Sequence, residues 1–357
     1  MPVRIALYQQ QFGETEKLLC ETGEIAVSGF RYDSGVAALR ISNARGDVTM
    51  LPFQGSQIWR AAFDGRELTM RSMFDEPRAT QVYLETYGGF LIHCGLAGLG
   101  AAGPEDTHPL HAELPNAPMQ VAWLEVEEDR VTLVSAYNHT VAFTTNYVAT
   151  IYTSVTAGSA LIDVSVSVEN LKATPMDVMY LAHANFLPVD YGQLHYSADY
   201  TPEIVRVRRS IPSHITPKPG YAEFLEELAE DPTLSHVLEP ALAFDPEVVF
   251  EIDMRADTDG LAHAVQKHPE GFADYIRYRP DQAPLCMRWI CRTPDQDGLG
   301  LAFPSTAGVE GYTAEKAKGR GIELAGGETW RIDMTMGHLT ASETDDVIAT
   351  IDEIRSS

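Results

Sequence analysis

Residues 121–170 carry the pattern that most restricts how this chain can fold. From Leu161 to Val168 the sequence alternates without a break, with Ile, Val, Val and Val on one side and Leu, Asp, Ser and Ser on the other. A period of two is typical of a strand with one face packed and one face in water, as in an antiparallel sheet. Turn residues at Glu128–Asp129 and Ala157–Gly158 divide the segment into hairpins. We therefore predict an antiparallel sheet.

Similar short apolar segments recur along the chain, and helical patterns are few. Further strands are predicted at 25–30, 36–41, 47–51, 81–86, 90–94, 178–184, 203–208, 247–254, 274–279, 285–290, 298–303 and 329–338. Helices are predicted at 221–230, where apolar residues recur at helical spacing, and at 343–355, after Ser342. Many strands and few helices indicate an all-β protein, a large antiparallel sandwich or barrel. We predict one domain over residues 1–357, with the Pro-rich stretch 211–220 as a surface connection.

Composition narrows the classes of partner. The 357 residues include 51 Asp and Glu against 26 Lys and Arg, a formal net charge of −25. Such a balance disfavours nucleic acid and anionic membranes, and it leaves a neutral or cationic small ligand easiest to accommodate. The four cysteines form no C-x-x-C pair, and no secretion signal or 18-residue apolar run is visible. We therefore expect a cytoplasmic protein. Nucleotide-dependent chemistry is disfavoured because no Gly-rich phosphate loop is present.

Polar residues that could carry chemistry are concentrated in three segments. The first is 87–116, with His93, His108, His111 and Asn116, and the second is 179–196, with His183, Asn185, Asp190, Gln193 and His195. The third is a predicted loop after a strand, with Glu310, Tyr312, Glu315 and Lys316. His183 stands in the middle of an apolar strand, where an imidazole must be hydrogen-bonded within the core or functional. Both interpretations stay open from the residues alone.

Four of these pieces, in this order along the chain, carry a resemblance to a known group of proteins. GGFLIHCGL, HPLHAELPN, LAHANF and FPSTAGVEGYTAEKAKG resemble the aldose 1-epimerase (galactose mutarotase-like) superfamily, and more narrowly a poorly characterised branch of it. The similarity extends from about residue 35 to residue 340. It implies a large antiparallel β-sandwich with a sugar bound in a cleft on one concave face. It also implies a carbohydrate isomerase that works by acid–base catalysis at the anomeric or adjacent carbonyl carbon.

The resemblance also implies roles for individual residues. His183, in His183–Phe186, corresponds to the general acid at the ring oxygen, and His111 corresponds to the histidine of an L-H-G-like motif in which Ala112 replaces Gly. The stretch that carries the catalytic glutamate in related mutarotases reads Leu301–Pro304 here, with Phe303 in place of the base. Glu310 is the provisional base, with Glu113 and Asp190 as lesser candidates. The predicted substrate-binding residues are His93, His111, Asn185, Asp190, Arg71, Arg279 and Tyr312.

Two alternatives use the same residues. A metal-dependent keto-sugar epimerase would bind Zn²⁺ or Mn²⁺ through histidines and a carboxylate drawn from His93, His111, His183, His195, Glu85, Asp190 and Glu310. A non-catalytic carbohydrate-binding protein would stack sugars on aromatic residues drawn from Trp59, Trp123, Trp289 and Tyr312. The principal prediction needs no cofactor, with a divalent metal as the alternative. A small-molecule sugar is the expected partner, and the oligomeric state is left open.

Overall fold

The computed structural model describes residues 2–211, 216–242 and 244–357, which form two large antiparallel sheets and a few helices. The strands are β1 (Val3–Leu7), β2 (Lys17–Thr22), β3 (Ile25–Arg31), β4 (Ala37–Asn43), β5 (Gly46–Met50), β6 (Ile58–Phe63), β7 (Arg66–Glu67), β8 (Leu91–Leu96), β9 (Val121–Val126), β10 (Arg130–Val141), β11 (Thr145–Thr156), β12 (Leu161–Asn170), β13 (Met176–Ala184), β14 (Gln193–Tyr196), β15 (Val205–Val207), β16 (Val248–Ile252), β17 (Ala262–Lys267), β18 (Ala273–Tyr278), β19 (Leu285–Arg292), β20 (Asp297–Ser305), β21 (Ile322–Leu324) and β22 (Thr329–Leu339). The helices are α1 (Tyr221–Glu230), α2 (Tyr312–Ala317) and α3 (Ala341–Ser356). Among the described residues, no helix has both the length and the apolar character needed to cross a membrane.

Sheet A contains the segment that most restricted the fold. Within the described residues its strand order is β1-β9-β10-β11-β12-β22-β18-β17-β14. Strands β9 to β12 form successive hairpins, and the turns of β9–β10 and β11–β12 lie at the predicted residues. In β12 the Ile and Val positions are buried, while the alternate Leu, Asp and Ser positions are half-buried. The predicted alternation is thus confirmed, because one face of β12 packs inward and the other faces outward.

Sheet B packs its inner face against sheet A. Its order in the described residues is β15-β16-β19-β20-β13-β8-β6-β5-β4-β3-β2, with β21 beside β13 and β7 beside β6. Val166 and Ile332 of sheet A share one buried apolar cluster with Leu39 and Ile41 of sheet B. Burial of such a side chain stabilises the fold by about 1.5–3 kcal/mol. The predicted all-β sandwich is confirmed.

Local structure departs from the predictions at three places. Residues 81–86 are not a strand, because Tyr83–Glu85 forms a 3₁₀ turn. Helix α3 begins two residues earlier than predicted, because Thr340 and Glu343 form a capping box. Residues 312–317 are helix α2 where a loop was predicted. The strands missed by the sequence pattern are β1, β2, β6, β7, β14, β17 and β21.

One end of sheet B also packs on its outer face. Leu181 of β13, Trp289 of β19 and Phe303 of β20 belong to a second buried cluster, separate from the core between the sheets. Strands exposed to water alternate apolar and polar residues, but these strands carry apolar residues on both faces. The loops that cover this outer face create the candidate site. Of the predicted surface connection 211–220, residues 212–215 lie outside the described residues.

Candidate functional site

A cavity of about 270 Å³ lies on the outer face of sheet B. Strands β13, β16, β19 and β20 supply its floor, and the segments around residues 83–87, 100–111 and 309 supply its walls. The ionisable or amide side chains that line it are Tyr83, Tyr87, His111, His183, Arg208, Glu247, Cys291 and Gln296. Most of the remaining lining is apolar. A small number of polar groups in an apolar pocket of this size is typical of a small-molecule site.

His183 lines this cavity, and its ring is held in one tautomer. Its Nδ1 lies 2.6 Å from Oδ1 of Asn185, and Nδ2 of Asn185 donates to the carbonyl of Gly89 at 3.0 Å. Because the amide nitrogen is used by Gly89, Oδ1 accepts from Nδ1–H of His183. Nε2 is therefore the atom that gains or loses a proton. Burial lowers the pKa of His183 to about 4, so the neutral imidazole predominates at neutral pH.

Aromatic rings surround His183 and fix its plane. Ring centroids lie 4.1 Å away at Phe303, 5.5 Å at Trp289, 5.8 Å at Tyr87 and 5.9 Å at His111. Phe303 thus occupies the neighbourhood in which the resemblance places the base. A phenyl ring accepts no proton, so any carboxylate that acts beside His183 must come from another strand.

Such a carboxylate is present at Glu247, which sequence reasoning missed. Glu247 lines the cavity just before β16, and its Oε2 accepts a hydrogen bond of 2.7 Å from Nε1 of Trp289. Trp289 pairs in register with Val249, two residues after Glu247. His183 and Glu247 therefore contact the same indole, one through its ring and the other through its N–H. The sequence does contain a signal for this position, because residues 247–252 alternate. Val248, Phe250 and Ile252 are buried, so Glu247 falls with the residues on the outer face of sheet B.

His111 reaches the cavity from a loop. Its φ is +57°, and that of Ala112 is +60°. Glycine adopts this left-handed region most readily, so Ala112 holds a backbone conformation that is uncommon for a residue with a side chain. The backbone N–H of His111 donates to the carbonyl of Gly100 at 3.0 Å, and its carbonyl accepts from Gly95 at 2.9 Å. The His111 ring centroid lies 4.8 Å from that of Tyr83.

His93 does not join this group. The register pairs His93 with Ala182 and Ile92 with His183, so the two imidazoles lie on opposite faces of sheet B. His93 is fully buried between the sheets, with Nδ1 2.7 Å from the hydroxyl of Tyr180. Burial lowers its pKa to about 3. The prediction that His93 orients a sugar oxygen does not fit this position, and His93 is a core histidine.

Glu310 also lies elsewhere. It does not line the cavity of His183, and its Oε1 is 2.6 Å from Nε of Arg208 and 3.1 Å from Oγ of Ser210. The loop that carries it turns toward a neighbouring cavity, which Glu310 does line. The role of base predicted for Glu310 therefore does not fit the geometry. Glu113 is held by Tyr147 and by the backbone N–H groups of Leu96 and Ala97, and it too is outside the cavity.

Four other predicted binding residues, Asp190, Arg71, Arg279 and Tyr312, do not line the cavity. Asp190 forms an ion pair of 2.8 Å with Arg292. Arg71 and Arg279 donate to backbone carbonyls, and the hydroxyl of Tyr312 donates to Asp177 at 2.7 Å. Asn185 is close to the site but fully buried, where it holds His183. The structure thus brings together His111, His183 and Trp289 from the predicted sets and adds Glu247.

The histidines proposed for a metal are separated in the same way. His93 faces the core, His195 lies on β14 of sheet A, and only His111 and His183 share the cavity. In residues 2–211, 216–242 and 244–357, no three His, Cys, Asp or Glu side chains are grouped so that they could hold a metal ion. The predicted metal ligands are therefore not brought together.

Comparisons with known proteins bear on the fold. The family model of a domain of unknown function, DUF4432, matches residues 33–192. A candidate aldose 1-epimerase from Klebsiella pneumoniae is 17% identical, with a TM-score of 0.80 over 96% of this chain and 92% of its own. The chain has the galactose mutarotase-like fold. A search of curated proteins gave no match.

Two more distant structures agree with this assignment. A galactose mutarotase-like protein from Clostridium acetobutylicum is 11% identical, with a TM-score of 0.60 over 88% of this chain and 98% of its own. A candidate mutarotase from Salmonella typhimurium is 9% identical, with a TM-score of 0.61 over 91% of this chain and 97% of its own. At such identities the likeness concerns the fold, and function must be argued from the site.

Proposed function

We propose that this protein is a carbohydrate isomerase that interconverts the anomers of a monosaccharide bound in the cavity of His183. The observation that carries the proposal is the placement of His183 and Glu247 against one indole, that of Trp289. An aromatic face provides a wall for the apolar face of a sugar, and the two flanking groups can exchange protons with its oxygens.

The reaction assigns one proton to each group. Glu247 takes the proton from the anomeric hydroxyl O1, and the C1–O5 bond breaks as C1=O1 forms. The electron pair of that bond goes to O5, which receives a proton from Nε2 of His183. Rotation about C1–C2 and closure by the reverse steps give the other anomer. Two proton-transfer groups avoid a charged sugar intermediate.

The tautomer of His183 supports this division. Because Asn185 keeps the proton on Nδ1, the imidazolium carries its second proton on Nε2. In the active form of the site, Glu247 is ionised and His183 carries a proton on Nε2 as well as on Nδ1. The Nε2 proton is then the one proton that the coupled pair can transfer. His183 is thus the acid in its imidazolium form, and Glu247 replaces Glu310 as the base. We expect this chemistry in the cytoplasm, consistent with four free cysteines.

The test is the rate of anomer exchange in the presence of the protein. Selective inversion of one anomeric proton signal, followed by NMR of the other anomer, measures this rate at equilibrium. Glucose, galactose and mannose, with their uronic acids and 6-phosphates, form the panel. We expect the protein to accelerate exchange of at least one sugar well above the spontaneous rate. If the sugars bind but exchange only at the spontaneous rate, the protein is a carbohydrate-binding protein and the proposal is wrong.

A further inference from the structure

A second cavity of about 220 Å³ adjoins that of His183. The two share Arg208, Met287 and Val309 as lining residues. The charged side chains around the second cavity are four cations and three carboxylates: Arg206, Arg208, Lys318, Arg320, Glu251, Glu310 and Glu315. A fourth carboxylate, that of Asp253, pairs with Arg206 at 2.7 Å, so cations and carboxylates are equal in number in this cluster, whereas the whole chain has a net charge of −25. Charges within about 10 Å dominate a site, because salt screens those beyond that distance.

Three of these four cations form ion pairs with Glu251 or Glu315. Arg320 bridges Glu251 at 2.6 Å and Glu315 at 3.1 Å, and Lys318 pairs with Glu315 at 2.8 Å. Arg206 pairs with Glu251 at 2.8 Å. These ion pairs give Glu251 and Glu315 cationic partners and hold the side chains of the cluster in place.

Arg208 differs from the others. Among the residues that the structure describes, the partners of its guanidinium are Glu310, 2.6 Å from Nε, and Oγ of Ser210, 2.9 Å from Nε. Its two Nη groups form no hydrogen bond with any residue that the structure describes, and its side chain is 17% exposed. A guanidinium held through Nε presents its Nη groups as a fixed pair of donors, which suits an oxyanion with two acceptor oxygens.

The backbone places Arg208 beside the proposed base. Its backbone N–H donates to the carbonyl of Val249 in β16 at 2.7 Å. Glu247 precedes Val249 by two residues, so both lie on the same side of the extended chain. Both Arg208 and Glu247 line the cavity of His183. A ligand that contacts His183 and Glu247 therefore shares its cavity with Arg208.

We propose that Arg208 binds an anionic group on the sugar, a carboxylate or a phosphate, and that Glu310 is a positioning residue which holds Arg208. This inference rests on the proposed function and names its substrate class. It departs from the neutral or cationic ligand expected from the net charge, because surface carboxylates more than about 10 Å away are screened by salt and the Nη groups of Arg208 offer two donors to an oxyanion.

The test compares sugars that differ only in charge. Binding is measured by calorimetry and exchange by NMR for glucose, galactose and mannose, their uronic acids and their 6-phosphates. We expect one anionic class to have a dissociation constant at least tenfold below that of its neutral parent. Preference for the uronic acids identifies a carboxylate, and preference for the 6-phosphates identifies a phosphate. Equal or weaker binding of both anionic classes would overturn the inference.

Variants of Arg208 test whether this residue causes the preference for anionic over neutral sugars. Arg208→Gln should lower the ratio of anionic to neutral affinity to about one, and Arg208→Lys, which keeps the charge but loses the paired donors, should lower it severalfold. The matched control is Arg209→Gln, because Arg209 is exposed and pairs with Glu226. Retention of the preference in both Arg208 variants would contradict the inference, and the lysine variant decides if the glutamine variant does not fold.

The isomerase activity and the anion site at Arg208 can be contradicted by different results. If anionic sugars bind through Arg208 without accelerated exchange, the proposed isomerase activity is wrong and the anion site stands. If neutral sugars are exchanged as efficiently as anionic ones, the isomerase activity stands and the role of Arg208 is wrong.

Discussion

Replacing Glu247 with Gln should slow anomer exchange by about 10²–10⁴-fold, the usual contribution of a positioned proton-transfer group. Glutamine keeps an oxygen that can accept from Nε1 of Trp289, so the indole that Glu247 holds at 2.7 Å should stay in place. What is lost is the capacity to take the O1 proton. The measurement is the exchange rate of the best substrate by inversion-transfer NMR, at saturating sugar.

The matched control for this change is Asp190→Asn. Asp190 is a carboxylate in an ion pair with Arg292 outside the cavity, and it was itself a predicted candidate. We expect its variant to retain exchange within about threefold and to unfold at a similar temperature. A Glu247→Gln protein with the rate of the wild type would remove Glu247 from the mechanism.

Replacing His183 with Gln should cause a loss of similar size and change the dependence on pH. In the wild type the pKa of His183 is lowered to about 4 by burial, so the imidazolium fraction falls about tenfold for each pH unit above 5. We therefore expect kcat/KM to rise as the pH is lowered from 8 to 5. Glutamine has no titrating proton, so the residual rate of the variant should lose this slope.

The control for His183 is His195→Gln, because His195 is a half-buried histidine on sheet A, away from the cavity. Its variant should keep both the rate and the pH profile. A wild-type kcat/KM that stays level or rises with pH between 5 and 8 would show that the neutral imidazole, and not the imidazolium, is the active form, because the neutral form already predominates above pH 5.

Period-two patterns predicted the architecture because they report directly which face of a strand is buried. The alternation at Leu161–Val168 located β12, and the turn at Ala157–Gly158 located its hairpin partner β11. The segment at 81–86 was predicted as a strand from its β-branched and aromatic residues rather than from an alternation, and that prediction was wrong. Tyr83 is buried while Val82 and Leu84 are exposed, because the segment forms a 3₁₀ turn over the cavity.

The site was predicted less well, because register and pairing order are not visible in single strands. His93 and His183 each stand in an apolar strand, yet a one-residue offset in register sends them to opposite faces. Glu247 was overlooked because it is distant from the histidine motifs along the chain. It reaches the cavity because β16 pairs with β19, and β19 pairs with β20, which carries Phe303.

The most direct test of the central claim is the exchange rate of the double variant, His183→Gln with Glu247→Gln, compared with both single variants. Two groups that transfer protons in one step act as a unit, and removal of the second then costs little more. We predict that the double variant is within about tenfold of the slower single variant. If the exchange rate of the double variant is instead reduced by the product of the two single reductions, the claim that His183 and Glu247 work as one acid–base pair is contradicted.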